Sequence, residues 1–404
     1  MRHRIMRTLA LLVGIGMILV VCSCLLWAGR VVANFVCPSC IPPLFHSTIP
    51  ELPHSLPAME SIPGYTPIDS ANVRTLTELS SVDTGTRNAV VALDIDSASG
   101  RVMAVTQIGR ITQFPLAEPS KSITSDVGPV SLRSIAINAA SGMLASSSDN
   151  PSNTPPDAPS HPPGYQWWEI HTWKVGSTLA TTLTVVYNLS PSAILLPPTT
   201  KLLIESHGNQ ILAYEATSGK EVGKYWMANE TRFTQIDAMV LDTTGEYIAV
   251  ANINSAVAIV RLGSSGAIDD LEGMNRLESG VGPNGLDRDM KLKPLALAFD
   301  QARKQLALLR DNEAIVYDLG TFRQIFRATV TSSTGPAGSI AFDPSGQLLA
   351  VGTQDGWQIW DVAHSTKLFE QTGAGTYTVA FSADGRAFVW GDLDGHVHIW
   401  VARK

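Results

Sequence analysis

One short pattern is written twice near the C-terminal end of the chain. The first copy reads SIAFDPSG (residues 339–346), then QLLAVG (347–352), then DGWQIWD (355–361). The second copy reads TVAFSADG (378–385), then RAFVWG (386–391), then DGHVHIW (394–400). Each copy predicts an apolar strand, a tight turn, a second strand, an Asp-Gly hairpin and a third strand, because glycine supplies the positive backbone angles of such turns. A three-strand unit that recurs after about 40 residues is typical of a repeat architecture.

The same unit can be followed back through the chain by the turn after its first strand. Two intervals between turns are longer than the rest, and each contains an insertion, at residues 146–164 and 264–289. The seven turn markers are Gly100, Gly142, Thr200, Gly245, Arg303, Gly346 and Gly385. Such units cannot bury both faces of their sheets alone, so seven of them predict an all-β, seven-bladed propeller over residues 68–404. The last unit ends after its third strand, and we expect a strand at about residues 72–79 to complete it and close the ring.

The composition is that of a folded chain. Of the 404 residues, 45% are hydrophobic and 16% are charged, and the net charge is −7. This balance gives no electrostatic support for nucleic-acid binding. All four cysteines lie at or before Cys40, so the propeller region is not a disulfide scaffold. We expect a monomer with no nucleic-acid partner.

The N-terminal residues predict a segment that exports the rest of the chain. Residues 1–7 are basic, and residues 8–29 are uncharged and apolar. A helix over residues 8–29 is about 33 Å long, which matches a hydrocarbon core of about 30 Å. The basic residues before it favour a cytoplasmic N-terminus and a propeller outside the cytoplasm. A cleaved secretory signal and a lipoprotein lipidated at Cys24 are the alternatives to a retained transmembrane anchor.

Residues 30–67 are rich in proline and predict an extended linker outside the cytoplasm. The linker contains a CPSC sequence whose cysteines are Cys37 and Cys40. A redox-active pair normally lies at a helix start after a strand, and no such pattern surrounds this sequence. A local disulfide between the two cysteines, or a pair of unreactive thiols, is therefore the favoured interpretation.

The repeats resemble those of the WD40 family. The resemblance rests on Trp360-Asp361 at the end of a third strand and on the hairpins Asp355-Gly356 and Asp394-Gly395. Residues 68–79 are similar to the lead-in of exported bacterial WD-repeat proteins. The resemblance implies a seven-bladed propeller that serves as an interaction platform. The Gly-His pair that starts a typical repeat is missing, so the family's buried Asp-His-Ser/Thr-Trp network is not transferred to this chain.

Few residues suggest chemistry. The sequence contains no P-loop, no G-x-S-x-G and no H-E-x-x-H, and we expect no enzyme activity and no cofactor. Asp94 and Asp237 fall within predicted first strands, which line the channel of a propeller, and they are the weak candidates for holding a cation there. Trp167 and Trp168 are adjacent and point to opposite faces of a strand, so one of them is a candidate for binding a partner.

Together these features predict a membrane-anchored, non-enzymatic platform that binds a protein or peptide outside the cytoplasm. One alternative is a propeller enzyme, either a metal-dependent hydrolase or a quinoprotein-type oxidoreductase, with its site in the central channel. A second alternative is a structural component of envelope assembly.

Overall fold

The computed structural model describes residues 62, 64–127, 134–147, 166–176, 181–187, 192–198, 200–226, 235–242, 244–251, 257–270, 294–300, 303–310, 312–321, 323–330 and 338–403. These residues belong to one unit, Ala58–Lys404. The predicted apolar segment at residues 8–29, Cys24, Cys37 and Cys40 lie outside the described residues. Within the described part, no helix has the length and apolar character needed to cross a membrane.

The described residues form seven four-stranded antiparallel sheets. Blade 7 contains β1 (Leu76–Asp83), which comes from the start of the propeller, and the other six blades each use four consecutive strands. Blades 1 to 3 contain β2 (Val90–Ile95), β3 (Arg101–Thr106), β4 (Arg110–Pro115), β5 (Ile123–Asp126), β6 (Ile135–Asn138), β7 (Met143–Ser147), β8 (Gln166–Lys174), β9 (Thr181–Tyr187), β10 (Ala193–Leu195), β11 (Leu202–His207), β12 (Gln210–Glu215) and β13 (Glu221–Trp226). Blades 4 to 7 contain β14 (Ala238–Leu241), β15 (Tyr247–Ala251), β16 (Val257–Leu262), β17 (Ile268–Asp270), β18 (Pro294–Asp300), β19 (Gln305–Arg310), β20 (Glu313–Asp318), β21 (Arg323–Thr329), β22 (Ser339–Phe342), β23 (Leu348–Thr353), β24 (Gly356–Asp361), β25 (Thr366–Thr372), β26 (Thr376–Phe381), β27 (Ala387–Asp392) and β28 (His396–Ala402). The described residues also contain two 3-10 helices, at Val73–Thr75 and Pro119–Lys121.

The seven sheets close into a ring. The first strand of each blade contacts the first strand of the next blade, and β26 of blade 7 contacts β2 of blade 1. The fourth strand of blade 7 is β1, which pairs antiparallel with β28. The all-β, seven-bladed propeller predicted from the sequence is therefore confirmed. The closing strand spans Leu76–Asp83 rather than residues 72–79, because Val73–Thr75 forms a 3-10 helix.

A polar residue fixes the turn between the first and second strands of a blade. In blade 6 the buried carboxylate of Asp343 accepts hydrogen bonds from the backbone N–H of Ser345 (2.9 Å) and of Leu348 (2.7 Å). The glycine that follows, Gly346, has a φ of 65°. In blade 4, Asp242 likewise accepts a hydrogen bond from the N–H of Tyr247 at 3.0 Å. These bonds satisfy backbone groups that the tight turn withdraws from water.

Apolar side chains pack between neighbouring blades, and aromatic rings fill the space between blades 6 and 7. Trp357, in the third strand of blade 6, is fully buried. Its ring stacks on Phe369 at a centroid distance of 5.1 Å. The same ring meets Phe388 at 4.6 Å and the edge of Trp400 at 5.2 Å, both from blade 7. Burial of large aromatic side chains dominates core energetics, so this cluster couples the last two blades.

The propeller has two distinct faces. We call the proximal face the one that carries the turns after first strands, such as residues 343–347. The chain leads into β1 on this face, since the N–H of Ile68 donates to the carbonyl of Gly385 at 2.8 Å and Thr66 bridges Ala402. We call the distal face the one that carries the turns after second strands, such as residues 393–395. The described chain therefore enters β1 from the proximal face.

Candidate functional site

The two channel candidates are not brought together by the fold. Asp94 lies near the proximal end of β2 in blade 1, whereas Asp237 precedes β14 at the distal end of blade 4. These blades are not neighbours in the ring. Among the described residues there is also no group of three or more His, Cys, Asp or Glu side chains arranged to hold a metal ion.

Asp94 instead links two blades. Its Oδ2 accepts a hydrogen bond from the backbone N–H of Ala139, in the turn after the first strand of blade 2, at 2.7 Å. Burial raises the pKa of Asp94, and the hydrogen bond from Ala139 opposes that effect only in part. The carboxylate therefore has a structural role at the boundary between blades 1 and 2.

The two tryptophans predicted to contact a partner lie in β8 of blade 2. Trp168 is only 6% exposed and packs in the core between blades 2 and 3 beside Ile170 and Leu203. It therefore offers no surface to a partner, because its ring fills the space between two blades. The side chain of Trp167 lies outside the described residues.

The distal face of blades 7 and 1 exposes three large apolar side chains that sequence reasoning had not selected. Ile108 is 47% exposed, Tyr377 43% and Leu393 37%. Ile108 and Leu393 occupy the turns after the second strands of their blades, and Tyr377 lies at the start of β26. We call these three side chains the distal apolar patch. In the sequence, the only signal for the patch is an apolar residue within each of two polar turns, Gln-Ile and Asp-Leu-Asp-Gly. The sequence does not show that these two turns lie close together, because their proximity depends on ring closure.

Backbone contacts hold the two turns of the distal apolar patch together. The N–H of Thr84 donates to the carbonyl of Gly395 at 3.0 Å, which fixes the turn of blade 7 to the chain entering blade 1. The N–H of Gln107 donates to the carbonyl of Ala89 at 2.9 Å, which fixes the turn of Ile108 to that same segment. Leu393 packs over Gly375, where any side chain would collide with it. Both turns are therefore attached to the segment that connects β1 and β2.

A second group of polar side chains lies where the ring closes. The buried carboxylate of Asp392 contacts His398 and His396, and His398 also contacts Glu78 of β1. The ring of His398 stacks on Trp390 at a centroid distance of 4.0 Å. This group joins the first strand of the propeller to the last.

Comparison with known proteins bears on the fold. No family model matches the chain, and no curated protein sequence matches it. Its structure is similar to the crystal structure of the WD40 beta propeller domain of Doa1, with a TM-score of 0.55 and 11% sequence identity. The similarity covers 81% of this chain and 98% of the Doa1 domain. At this level of identity the similarity shows a shared fold, and the fold is that of a WD40 propeller.

Proposed function

We propose that this WD40-type propeller is a non-enzymatic platform that binds a protein or peptide through the distal apolar patch. We further propose that residues 8–29 anchor it in a membrane and that the propeller lies outside the cytoplasm. The observation that carries the proposal is the exposure of the patch, on the face opposite the one where Thr66 and Ile68 lead into β1.

This arrangement suits a tethered binding module. The patch lies away from the face on which residues 66–68 lead into the ring. Exposed apolar side chains surrounded by polar ones are typical of interaction sites. Asp83, Arg87 and Asp394 are exposed on the same face, and they supply the polar surroundings of the patch.

Affinity capture with the full chain tests the proposed surface. The bait is the wild-type protein, extracted with detergent from membranes of its source. The test variant changes Ile108 and Leu393 to serine, and the control variant changes Ile325, an exposed isoleucine (40%) on the outer strand of blade 5, to serine. We expect a stoichiometric partner with wild type and with Ile325→Ser, and its loss with the double variant. Equal capture by all three proteins would overturn the assignment of the surface.

The same preparation distinguishes a non-enzymatic binding platform from a propeller enzyme. If the protein is a propeller enzyme with a site in the channel, we expect a stoichiometric metal or a cofactor absorbance that Asp94→Asn or Asp237→Asn reduces.

The anchoring part of the proposal is tested by protease treatment of intact cells. We expect the propeller to be digested only if it faces outward, so a protected propeller would refute that placement.

A further inference from the structure

The closing strand β1 is held to β28 by an imidazole that lies between two carboxylates. His398 and Glu78 are 320 residues apart in the sequence, and they meet only because the ring closes. The Nδ1 atom of His398 lies 2.7 Å from Oε1 of Glu78, and its Nε2 atom lies 3.2 Å from Oδ2 of Asp392. The side chain of His398 is only 16% exposed, whereas that of Glu78 is 42% exposed.

The protonation state of His398 follows from this geometry. Ionised carboxylates only accept hydrogen bonds, whereas a neutral imidazole donates from one nitrogen and presents a lone pair on the other. A neutral His398 would therefore aim a lone pair at one of the two carboxylates. The imidazolium form donates from both nitrogens and satisfies both contacts.

Neighbouring groups hold the partners of His398 in place. Oδ1 of Asp392 accepts hydrogen bonds from the backbone N–H of Asp394 (2.9 Å) and of His396 (2.7 Å), so the carboxylate cannot turn away. The Nδ1 atom of His396 lies 3.2 Å from Oδ2 of Asp392. The titratable groups that face His398 are thus Glu78 from β1, Asp392 from β27 and His396 from its own strand, and the ring of Trp390 covers it.

We propose that His398 is a pH-sensitive clasp, which in its doubly protonated form fastens β1 to the ring and on losing one proton loosens it. β1 supplies the fourth strand of blade 7. Loosening of β1 therefore weakens the closure of the ring without unfolding the other six blades. The device goes beyond the proposed binding function and does not depend on the identity of a partner.

The pKa shifts of His398 and Asp392 have the directions that their contacts predict. Burial lowers the pKa of His398, but the hydrogen bonds and charges of Asp392 and Glu78 outweigh burial and raise it above its ordinary value of 6.5. Burial raises the pKa of Asp392, and its contacts with His398 and His396 outweigh that effect and lower it. A histidine with a raised pKa stabilises the folded state fully below its unfolded value of about 6.5. That stabilisation is lost as the pH rises through the pKa of His398 in the folded state.

Hydrogen exchange of the full chain tests the clasp. Protection factors, corrected for the intrinsic pH dependence of exchange, are measured for β1 and for the interior strand β20 between pH 6 and pH 9. We expect protection of β1 to fall as the pH rises through the folded-state pKa of His398, by no more than about tenfold for each pH unit, the limit set by one linked proton. Protection of β20 should stay constant. A β1 strand whose protection does not change with pH overturns the proposal.

Variants separate the clasp from a general effect of pH. Glu78→Gln removes one charge at a half-exposed position and should lower the protection of β1 at pH 6 and reduce its pH dependence. His398→Gln should abolish the pH dependence. The matched control is His364→Gln, which removes a histidine 3.0 Å from Asp361 in blade 6, away from β1. It should behave like wild type, and an unchanged fall of β1 protection in Glu78→Gln and His398→Gln would refute the role of His398.

Discussion

Replacing Trp357 by alanine should destabilise the propeller more than the loss of any exposed aromatic residue. Trp357 is fully buried between blades 6 and 7 and contacts aromatic rings from both blades. Its removal deletes a large apolar side chain and leaves a cavity that the antiparallel sheets on either side cannot close. Both blades therefore lose packing at once.

The expected magnitude is about 3–5 kcal/mol in the free energy of unfolding, the range observed for buried Trp or Phe replaced by alanine. Favourable ring geometry contributes on the order of 0.5–1.5 kcal/mol for an aromatic pair beyond the area buried. Trp357→Phe should cost less than half as much. Phenylalanine keeps a stacked ring, and no described atom accepts a hydrogen bond from the buried indole Nε1 of Trp357.

Urea unfolding followed by far-ultraviolet circular dichroism measures this difference without relying on tryptophan fluorescence. The matched control is Trp226→Ala, because Trp226 is 52% exposed at the end of β13 and contacts Lys224 by a cation–π interaction at 4.9 Å. The control should lose no more than about 1 kcal/mol. If Trp357→Ala also loses less than about 1 kcal/mol, the aromatic cluster does not couple blades 6 and 7 and the reasoning fails.

Three further predictions concern polar groups and turns. Asp343→Ala should cost about 1–3 kcal/mol in urea unfolding because it leaves the buried N–H of Leu348 without its acceptor, whereas Asp343→Asn keeps an acceptor oxygen and should cost less; equal losses would contradict this. Asp94→Asn should raise the melting temperature relative to wild type, and the difference should grow as the pH rises from about 4 to 7. Burial raises the pKa of Asp94 in the folded state, so the ionised carboxylate destabilises the fold once the pH exceeds the pKa of Asp94 in the unfolded state. A pH-independent difference would contradict this. Lys304 has a φ of 53°, so Lys304→Gly should stabilise the chain by about 0.5–1 kcal/mol in the same unfolding assay, and a destabilised variant would show that the side chain outweighs the backbone strain.

The repeat could be predicted from the sequence because its turns are chemically marked. The glycines chosen as turn markers have positive φ in the structure: Gly100, Gly142, Gly245, Gly346 and Gly385. In blade 5 the marker was Arg303, but the positive φ falls on Lys304, one residue later. A glycine adopts this conformation without strain, so its presence in the sequence marks the turn. A lysine in the same conformation is strained, and its presence does not indicate a turn.

The candidate sites were harder to predict because they depend on which blades become neighbours. Asp94 and Asp237 both fall near a predicted first strand, but they lie at opposite ends of blades that do not touch, so the repeat pattern did not show that they are far apart. The sequence could not show which of the adjacent residues Trp167 and Trp168 is buried. Period-two alternation places them on opposite faces of the strand, but it does not say which face the next blade covers. The distal apolar patch comes from two turns that are far apart in sequence and adjacent only after ring closure.

The clasp shows most clearly why sequence alone was insufficient. β1 contains a bulge between Glu78 and Ser80, where one extra residue is inserted opposite β28. The bulge switches the side-chain alternation, so Leu76 packs in the core between blades 6 and 7, while Val82 packs in the core between blades 7 and 1. Regular alternation would have placed both on one side, because their separation is even. The same irregularity leaves Glu78 within reach of His398, so the register that buries both ends of β1 is also the register that assembles the proposed clasp.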